Sequence, residues 1–256
     1  MNEDIPVIIL AGGKGTRLRE ETEFKPKPMV EIQGKPILHH IMDIYRKHGI
    51  RTFIVALGYK GDMIRDYFLN YQNYTSDLEI DMIDNNVTLL DENKEDFKVI
   101  LVDTGEDTLT AKRIKLCEKY VYSDRFMVTY GDGVADIDIT KLLEFHKGHP
   151  YLGTVTGVRP PSRFGELDIV GNTVNSFSEK PNITEGYING GFFVFDKGFF
   201  SFLTDENQML EKEPLTNLAK YGQLMVYKHN GFWKCMDTYK DYKDLNNIYA
   251  MDKNKW

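Results

Sequence analysis

Cysteine is scarce in this sequence: two residues, Cys117 and Cys235, among 256. Their separation matches no metal knuckle and no redox pair. That excludes a disulfide framework or a thiolate metal site and predicts two reduced thiols in or near the core of a cytosolic protein. Long apolar runs are missing as well. None approaches the ~18 residues that suggest a membrane span, and the opening "MNEDIPVIIL" carries acids where a signal peptide would carry Lys or Arg. A cytoplasmic protein is the expectation. Positive charge is in deficit: 32 basic against 39 acidic residues leave −7, which speaks against a general binder of nucleic acid or membrane surfaces. Any anionic ligand must then be held by a local cluster of cations. Nucleophile patterns are lacking too. The six histidines form no catalytic set and no serine sits in a nucleophile elbow, so the chemistry should need neither a protein nucleophile nor a strong base.

What is present alternates. Val7–Ala11 is a short continuous apolar run, the pattern of a strand buried on both faces. "GKPILHHIMDIYRKHGI" follows as a helix, with Ile37, Ile41, Ile44, Tyr45 and His48 on one face, Pro36 in its first turn and Gly49 at its end. "TFIVALGY" and "RFMVTYGDG" read as further buried strands. "GDMIRDYFLNY" (Met63, Ile64, Tyr67 and Phe68 inward) and "ITKLLEFHKGH" read as helices. Such alternation predicts an α/β fold with a largely parallel, doubly wound sheet. Two stretches break the rhythm. Residues 71 to 103, through "FKVILVD", read as an inserted antiparallel ribbon, and residues 164 to 180 as a hairpin about Gly171-Asn172, with "YINGGFFVF" as the strand after it. No linker or repeat divides the chain, which reads as one domain over 1–256 with antiparallel β additions.

The stretch "PVIILAGGKGTRL" runs from an apolar strand into Gly12, Gly13 and Gly15 and lands on Arg17. Glycines at the end of such a strand let backbone N–H groups approach phosphates. The dinucleotide fingerprint is excluded because its third glycine position holds Leu18, and the P-loop because no Gly-Lys pair continues to Ser or Thr. Nearby "FKPKPMVEIQGKP" sets Lys25 and Lys27 between prolines that stiffen the track, a rigid double cation of the kind a triphosphate requires. In "VTYGDGV", Asp132 follows a central strand at the end where open α/β sheets hold ligands, and Asp237 in "FWKCMDT" follows an aromatic-rich strand. Two carboxylates from distant segments are a usual way to hold Mg²⁺ on a nucleotide. Taken singly, each motif also has a plain reading: a glycine turn, an exposed basic turn, or a helix N-cap at Asp237.

In order along the chain, "LAGGKGTRL", "KPKPMVEI", "GDG", "SEKP", "INGGFFV" and "WKCMDT" resemble the sugar-1-phosphate nucleotidyltransferase family. The resemblance runs over essentially the whole chain, with "VDTGEDT", "YGDGVADIDI" and "RFGELDI" between those pieces. It implies a Rossmann-like nucleotidyltransferase fold, a mixed and mostly parallel central sheet with helices on both faces, whose sugar-binding and C-terminal part spans about 150–256. The first loop, Leu10, Ala11, Gly12, Gly13, Gly15, Thr16 and Arg17, would wrap the nucleotide phosphates, which Lys27 also meets. Gly131, Thr108 and Arg113 would complete the nucleotide site. Asp132 and Asp237 would hold Mg²⁺; Arg17, Lys27 and Asp132 would act in catalysis. Glu179, Lys180, Gly190 and Gly191 would line the sugar-phosphate pocket. The implied substrates are CTP and a sugar 1-phosphate, glucose 1-phosphate, and the implied assembly is a homo-oligomer. The inserted region, with Tyr71, Tyr74, Leu78, Ile80 and Met82, is its candidate contact. Two alternatives stay open: the same transfer with a uridylyl or thymidylyl group or another sugar, and a nucleotide-sugar binding protein without catalysis.

Overall fold

Val7, Ile9 and Ala11 point into one apolar cluster while Ile8 and Leu10 point into another on the opposite side. A strand buried on both faces belongs in the middle of a sheet covered by helices twice over. In the computed structural model, which describes residues 4–91, 94–159, 166–170, 173–178 and 186–256, that is its place. The central sheet has seven strands: β1 Val7–Ala11, β2 Thr52–Leu57, β3 Lys98–Asp103, β4 Arg125–Tyr130, β5 Gly153–Val158, β6 Ile188–Asp196 and β7 Leu224–His229. Their order is β3-β2-β1-β4-β6-β5-β7. All pairings are parallel except those of β6, which runs antiparallel to both β4 and β5.

The first long helix, α1 (Ile37–Arg46), buries Ile37, Leu38, Ile41, Met42, Ile44 and Tyr45 on one face of the sheet. Each fully buried side chain of that size contributes roughly 1.5–3 kcal/mol. Helix α2 (Gly61–Leu69) covers the same face through Ile64, as do α4 (Ile139–Lys147) through Ile139 and Leu142 and α6 (Tyr239–Met251) through Leu245. Helix α3 (Thr110–Cys117) covers the other face with Ala111, Ile114 and Cys117, and α5 (Glu213–Lys220) joins it with Leu218. Both cysteines are free, Cys117 buried and Cys235 half-buried. No helix among the described residues is long and apolar enough to cross a membrane.

Three readings need correction. The stretch "FKVILVD" is no part of an antiparallel ribbon: Lys98–Asp103 is the edge strand β3, parallel to β2 with Val99 opposite Phe53. Before it, Tyr71–Thr75 is helical, and only Leu78–Asp81 and Asn86–Leu89 form the ribbon. Met63 on α2 is 41% exposed, because α2 is short and only its Ile64 side reaches the sheet. His48 lies in the turn after α1, where Gly49 adopts φ +83°. The strands flanking Gly171-Asn172, Glu166–Val170 and Thr173–Ser178, do pair antiparallel; the turn itself lies outside the described residues.

Candidate active site

The chain leaves β1 toward β2 on one side and reaches β4 on the other, so the β1/β4 junction is the point where strand order reverses. Open α/β sheets form a ligand crevice at the C-terminal ends of such strands. Here the crevice divides into two clefts. The first, about 350 Å³, is lined by the glycine loop after β1, by Lys27, by Thr108–Thr110 and Arg113, and by Gly131 and Asp132 after β4. The second, about 240 Å³, is lined by Asn189–Phe192 of β6 and by Trp233, Cys235 and Asp237. Arg17, Tyr130 and Asp132 border both.

Lys27 stands at the seam. It belongs to a 3-10 turn, Lys27–Met29, framed by Pro26 and Pro28, and its side chain is nearly buried. Its Nζ donates to Asp132 Oδ2 at 2.7 Å and to Asp237 Oδ1 at 2.8 Å. Burial works to lower its pKa, but the two carboxylates outweigh it and the pKa ends above the ordinary lysine value. The exposed Arg17 reaches the same Asp237 oxygen at 2.9 Å. Lys25 does not share this site. It pairs with Glu31 at 3.4 Å: Lys25 lies before the chain enters the 3-10 turn at Lys27, and that turn breaks the extended track on which residues two apart would share a side. The expected double cation is therefore Lys27 with Arg17.

Two glycines of the loop, Gly12 and Gly15, are required for steric reasons. Gly15 sits at φ +62°, and a Cβ there would meet Thr22 Cγ2 at 2.9 Å. Gly13 lies open, and a Cβ on Gly12 would fall 2.2 Å from the Arg113 guanidinium carbon. Leu10, Gly12, Gly13, Gly15, Thr16 and Arg17 all line the first cleft. Ala11 does not; it is turned into the core.

Arg113 borders the first cleft, and both its terminal nitrogens are engaged by the protein. Nη1 donates to the carbonyls of Leu57 (2.9 Å) and Gly105 (2.8 Å) and to the Thr104 hydroxyl. Nη2 donates to the carbonyls of Gly12 and Glu106, both at 3.1 Å. One guanidinium thus ties the ends of β1 and β2 to the loop after β3. Burial lowers its pKa, with Cys117 and Asp103 acting in the opposite sense. Both terminal nitrogens thus hold the loops that border the cleft.

The second cleft is shaped by Gly191 at φ +80°, where a Cβ would lie 2.5 Å from the Tyr130 ring. The Gly190 carbonyl accepts from Trp233 Nε1 at 2.8 Å. The Tyr130 hydroxyl bonds to Glu211 and accepts from Asn189 Nδ2 at 3.2 Å; burial first, then Glu211, raises its pKa. Glu179 and Lys180 lie outside the described residues.

Asp132, Cys235 and Asp237 each offer one ligand atom, all within 4.8 Å of one another. The oxygens suit a hard divalent cation. Cys235 is held protonated by burial and then by Asp132 and Asp237, and its Sγ donates to Asp132 Oδ1 at 3.5 Å. A protonated thiol bonded in this way helps to orient the Asp132 carboxylate. Asp237 is not a helix cap; Thr238 caps α6 in a capping box with Asp241.

Residues 6–251 match the family model described as Nucleotidyl transferase. The chain belongs to the nucleotidyl transferase family. This nucleotidyl transferase is 47% identical over 250 residues to the glucose-1-phosphate cytidylyltransferase of Salmonella typhi, covering 97% of each chain. It is 44% identical to a probable glucose-1-phosphate cytidylyltransferase of Bacillus subtilis, covering 97% of this chain and 98% of that one. Its fold is similar to that of HddC from Yersinia pseudotuberculosis complexed with GMP-PN, at TM-score 0.70 and 27% identity, over 96% of this chain and 99% of that one.

The segment 204–211 went unread in the sequence, although it shapes the nucleotidyl transferase's first cleft. Asn207 Oδ1 accepts from Leu109 N at 2.7 Å, the Gln208 carbonyl accepts from Ala111 N at 3.1 Å, and Thr110 Oγ1 donates to Glu211 Oε2 at 3.0 Å. Nothing in "LTDENQML" announces a binding wall, since its partners lie about a hundred residues away. Tyr130 was legible only as the end of a strand.

Proposed function

We propose that this chain transfers the cytidylyl group of CTP to α-D-glucose 1-phosphate, giving CDP-glucose and pyrophosphate. One observation carries the reading: two clefts, one edged by the glycine loop and one by Gly190-Gly191, share Arg17, Tyr130 and Asp132 as a common wall. Two phosphorylated ligands seated there would meet at the cations. A sugar 1-phosphate is largely dianionic at neutral pH, its second pKa being roughly 6. Its phosphate oxygen attacks the α-phosphorus of CTP, a new P–O bond forms, and the bond to the β-phosphate breaks with pyrophosphate leaving. No protein nucleophile is required. Arg17 and Lys27 offset charge that builds on the phosphates at the transition state, and alignment of the two ligands supplies much of the rest.

We assign Mg²⁺ to Asp132 and Asp237, where it would neutralise the triphosphate and polarise the reacting phosphorus. Glu179 and Lys180 are proposed for the sugar hydroxyls and phosphate. The choice of cytosine and glucose draws on the cytidylyltransferase relatives, and the base is proposed to lie along Gly105–Thr110, the loop tied down by Arg113 and Asn207. Buried hydrogen-bonding groups discriminate strongly when the wrong base leaves them unpaired.

The test is a substrate matrix: five nucleoside triphosphates against several sugar 1-phosphates with Mg²⁺, read by pyrophosphate release. CTP with glucose 1-phosphate should give the highest kcat/KM, with UTP the nearest competitor. UTP or dTTP ahead of CTP would overturn the base. No release from any pair would leave a binding protein.

A further inference from the structure

An ammonium group already occupies the place between the two carboxylates. Lys27 Nζ lies 2.7 Å from Asp132 Oδ2 and 2.8 Å from Asp237 Oδ1, and Arg17 is 2.9 Å from that same Asp237 oxygen. The Lys27 backbone is fixed by the flanking prolines, by the turn bonds Met29 N to the Pro26 carbonyl and Val30 N to the Lys27 carbonyl, and by Gly15, whose Cβ position falls 3.2 Å from Lys27 Cβ. Only the side chain can move. Arg17, by contrast, has a 69% exposed side chain and meets Asp237 from the solvent side.

We infer that Lys27 is a resident cation that keeps Asp132 and Asp237 engaged until a metal-bearing nucleotide arrives, so that the metal enters with the nucleotide and not ahead of it. This rests on the reading that the two aspartates hold the metal. A divalent ion on these oxygens would stand within a few ångströms of the ammonium and be repelled by it. A triphosphate removes the conflict, because its oxygens take the ammonium from the carboxylates as the metal settles on them. The same lysine would then serve the empty site as a counter-ion and the filled site as a phosphate ligand.

The test is Mn²⁺ binding, followed by loss of the free-ion electron paramagnetic resonance signal, first without nucleotide. Lys27→Met keeps the length of the side chain and removes its charge. It should bind Mn²⁺ at least about tenfold more tightly than the wild type, and the gain should vanish in Lys27→Met/Asp132→Asn. Lys25→Met, which removes a nearby lysine that touches neither aspartate, should stay within about twofold of the wild type. Circular dichroism checks folding, and Lys27→Gln replaces Lys27→Met if that variant does not fold. Equal affinity in wild type and the neutral Lys27 variants overturns the inference. Repeating the titration with CTP separates the two readings. Asp132-dependent Mn²⁺ binding that persists there without any Lys27 effect leaves the metal assignment standing and the resident cation refuted. Binding indifferent to Asp132 in every arm refutes both.

Discussion

At Asp237 a single oxygen faces two cations, accepting from Lys27 and ion-pairing with Arg17, while Asp132 accepts from Lys27 and from the Cys235 thiol. Each carboxylate is therefore held by the protein's own groups. Asp132→Asn or Asp237→Asn should lower kcat at saturating metal by at least about 10²-fold, the scale of one lost transition-state charge contact. Each should also cost about 1–3 kcal/mol of stability, because Lys27 keeps only one charged partner. Metal-dependent pyrophosphate release and thermal melting check the two parts separately. Near-normal turnover in either variant would remove that aspartate from the chemistry. Asp132 could be picked out in the sequence since glycines bracket it at the end of a buried strand. Lys25 and Lys27 could not be told apart, because proline rigidity is legible in a sequence but the 3-10 turn that begins at Lys27 and breaks the extended track is not.

Between residue and fold stand the elements, and here one guanidinium governs three of them. Arg113 on α3 ties Gly12 after β1, Leu57 at the end of β2 and Gly105 and Glu106 after β3. It leaves no room beside the chain at Gly58: a Cβ there would fall 2.5 Å from Nη1 and 2.7 Å from the Gly12 carbonyl. Gly58→Ala should destabilise the protein by about 1–3 kcal/mol, the usual cost of overpacking. In an Arg113→Ala background the penalty should shrink, and a double-mutant cycle by urea unfolding would show coupling of at least about 0.5 kcal/mol. Additive effects would mean that Arg113 is not what Gly58 accommodates. The helices and buried strands were legible because periods of 3.6 and continuous apolar runs survive without tertiary context. "FKVILVD" was misplaced because an edge strand next to a ribbon carries the same local pattern as a strand inside it.

At the scale of the molecule, the ribbon and its surroundings leave apolar side chains in water: Leu69, Tyr74, Ile80, Met82, Ile83, Val87 and Leu90 are all more than half exposed. This is the face that the sequence offers as the candidate contact of the homo-oligomer the resemblance implies, since an ordinary hairpin would fold such residues over its own core. Ile83→Lys should shift the mass measured by light scattering toward the single chain, and an unchanged mass would place the contact elsewhere. The nucleotide-loop half of the site was legible because its motifs are local; the wall from 204–211 was not, because it exists only after distant segments meet. The one antiparallel strand of the central sheet also sets an order of assembly. β5 precedes β6 in the chain, yet β6 lies between β4 and β5. On a ribosome adding roughly 5–20 residues per second, β5 emerges with no native neighbour and must wait until β6 has been made to join them. The half of the sheet that carries the glycine loop can close early, whereas the half that carries Asn189–Gly191 closes by insertion. That late, non-local step is of the kind that slows folding.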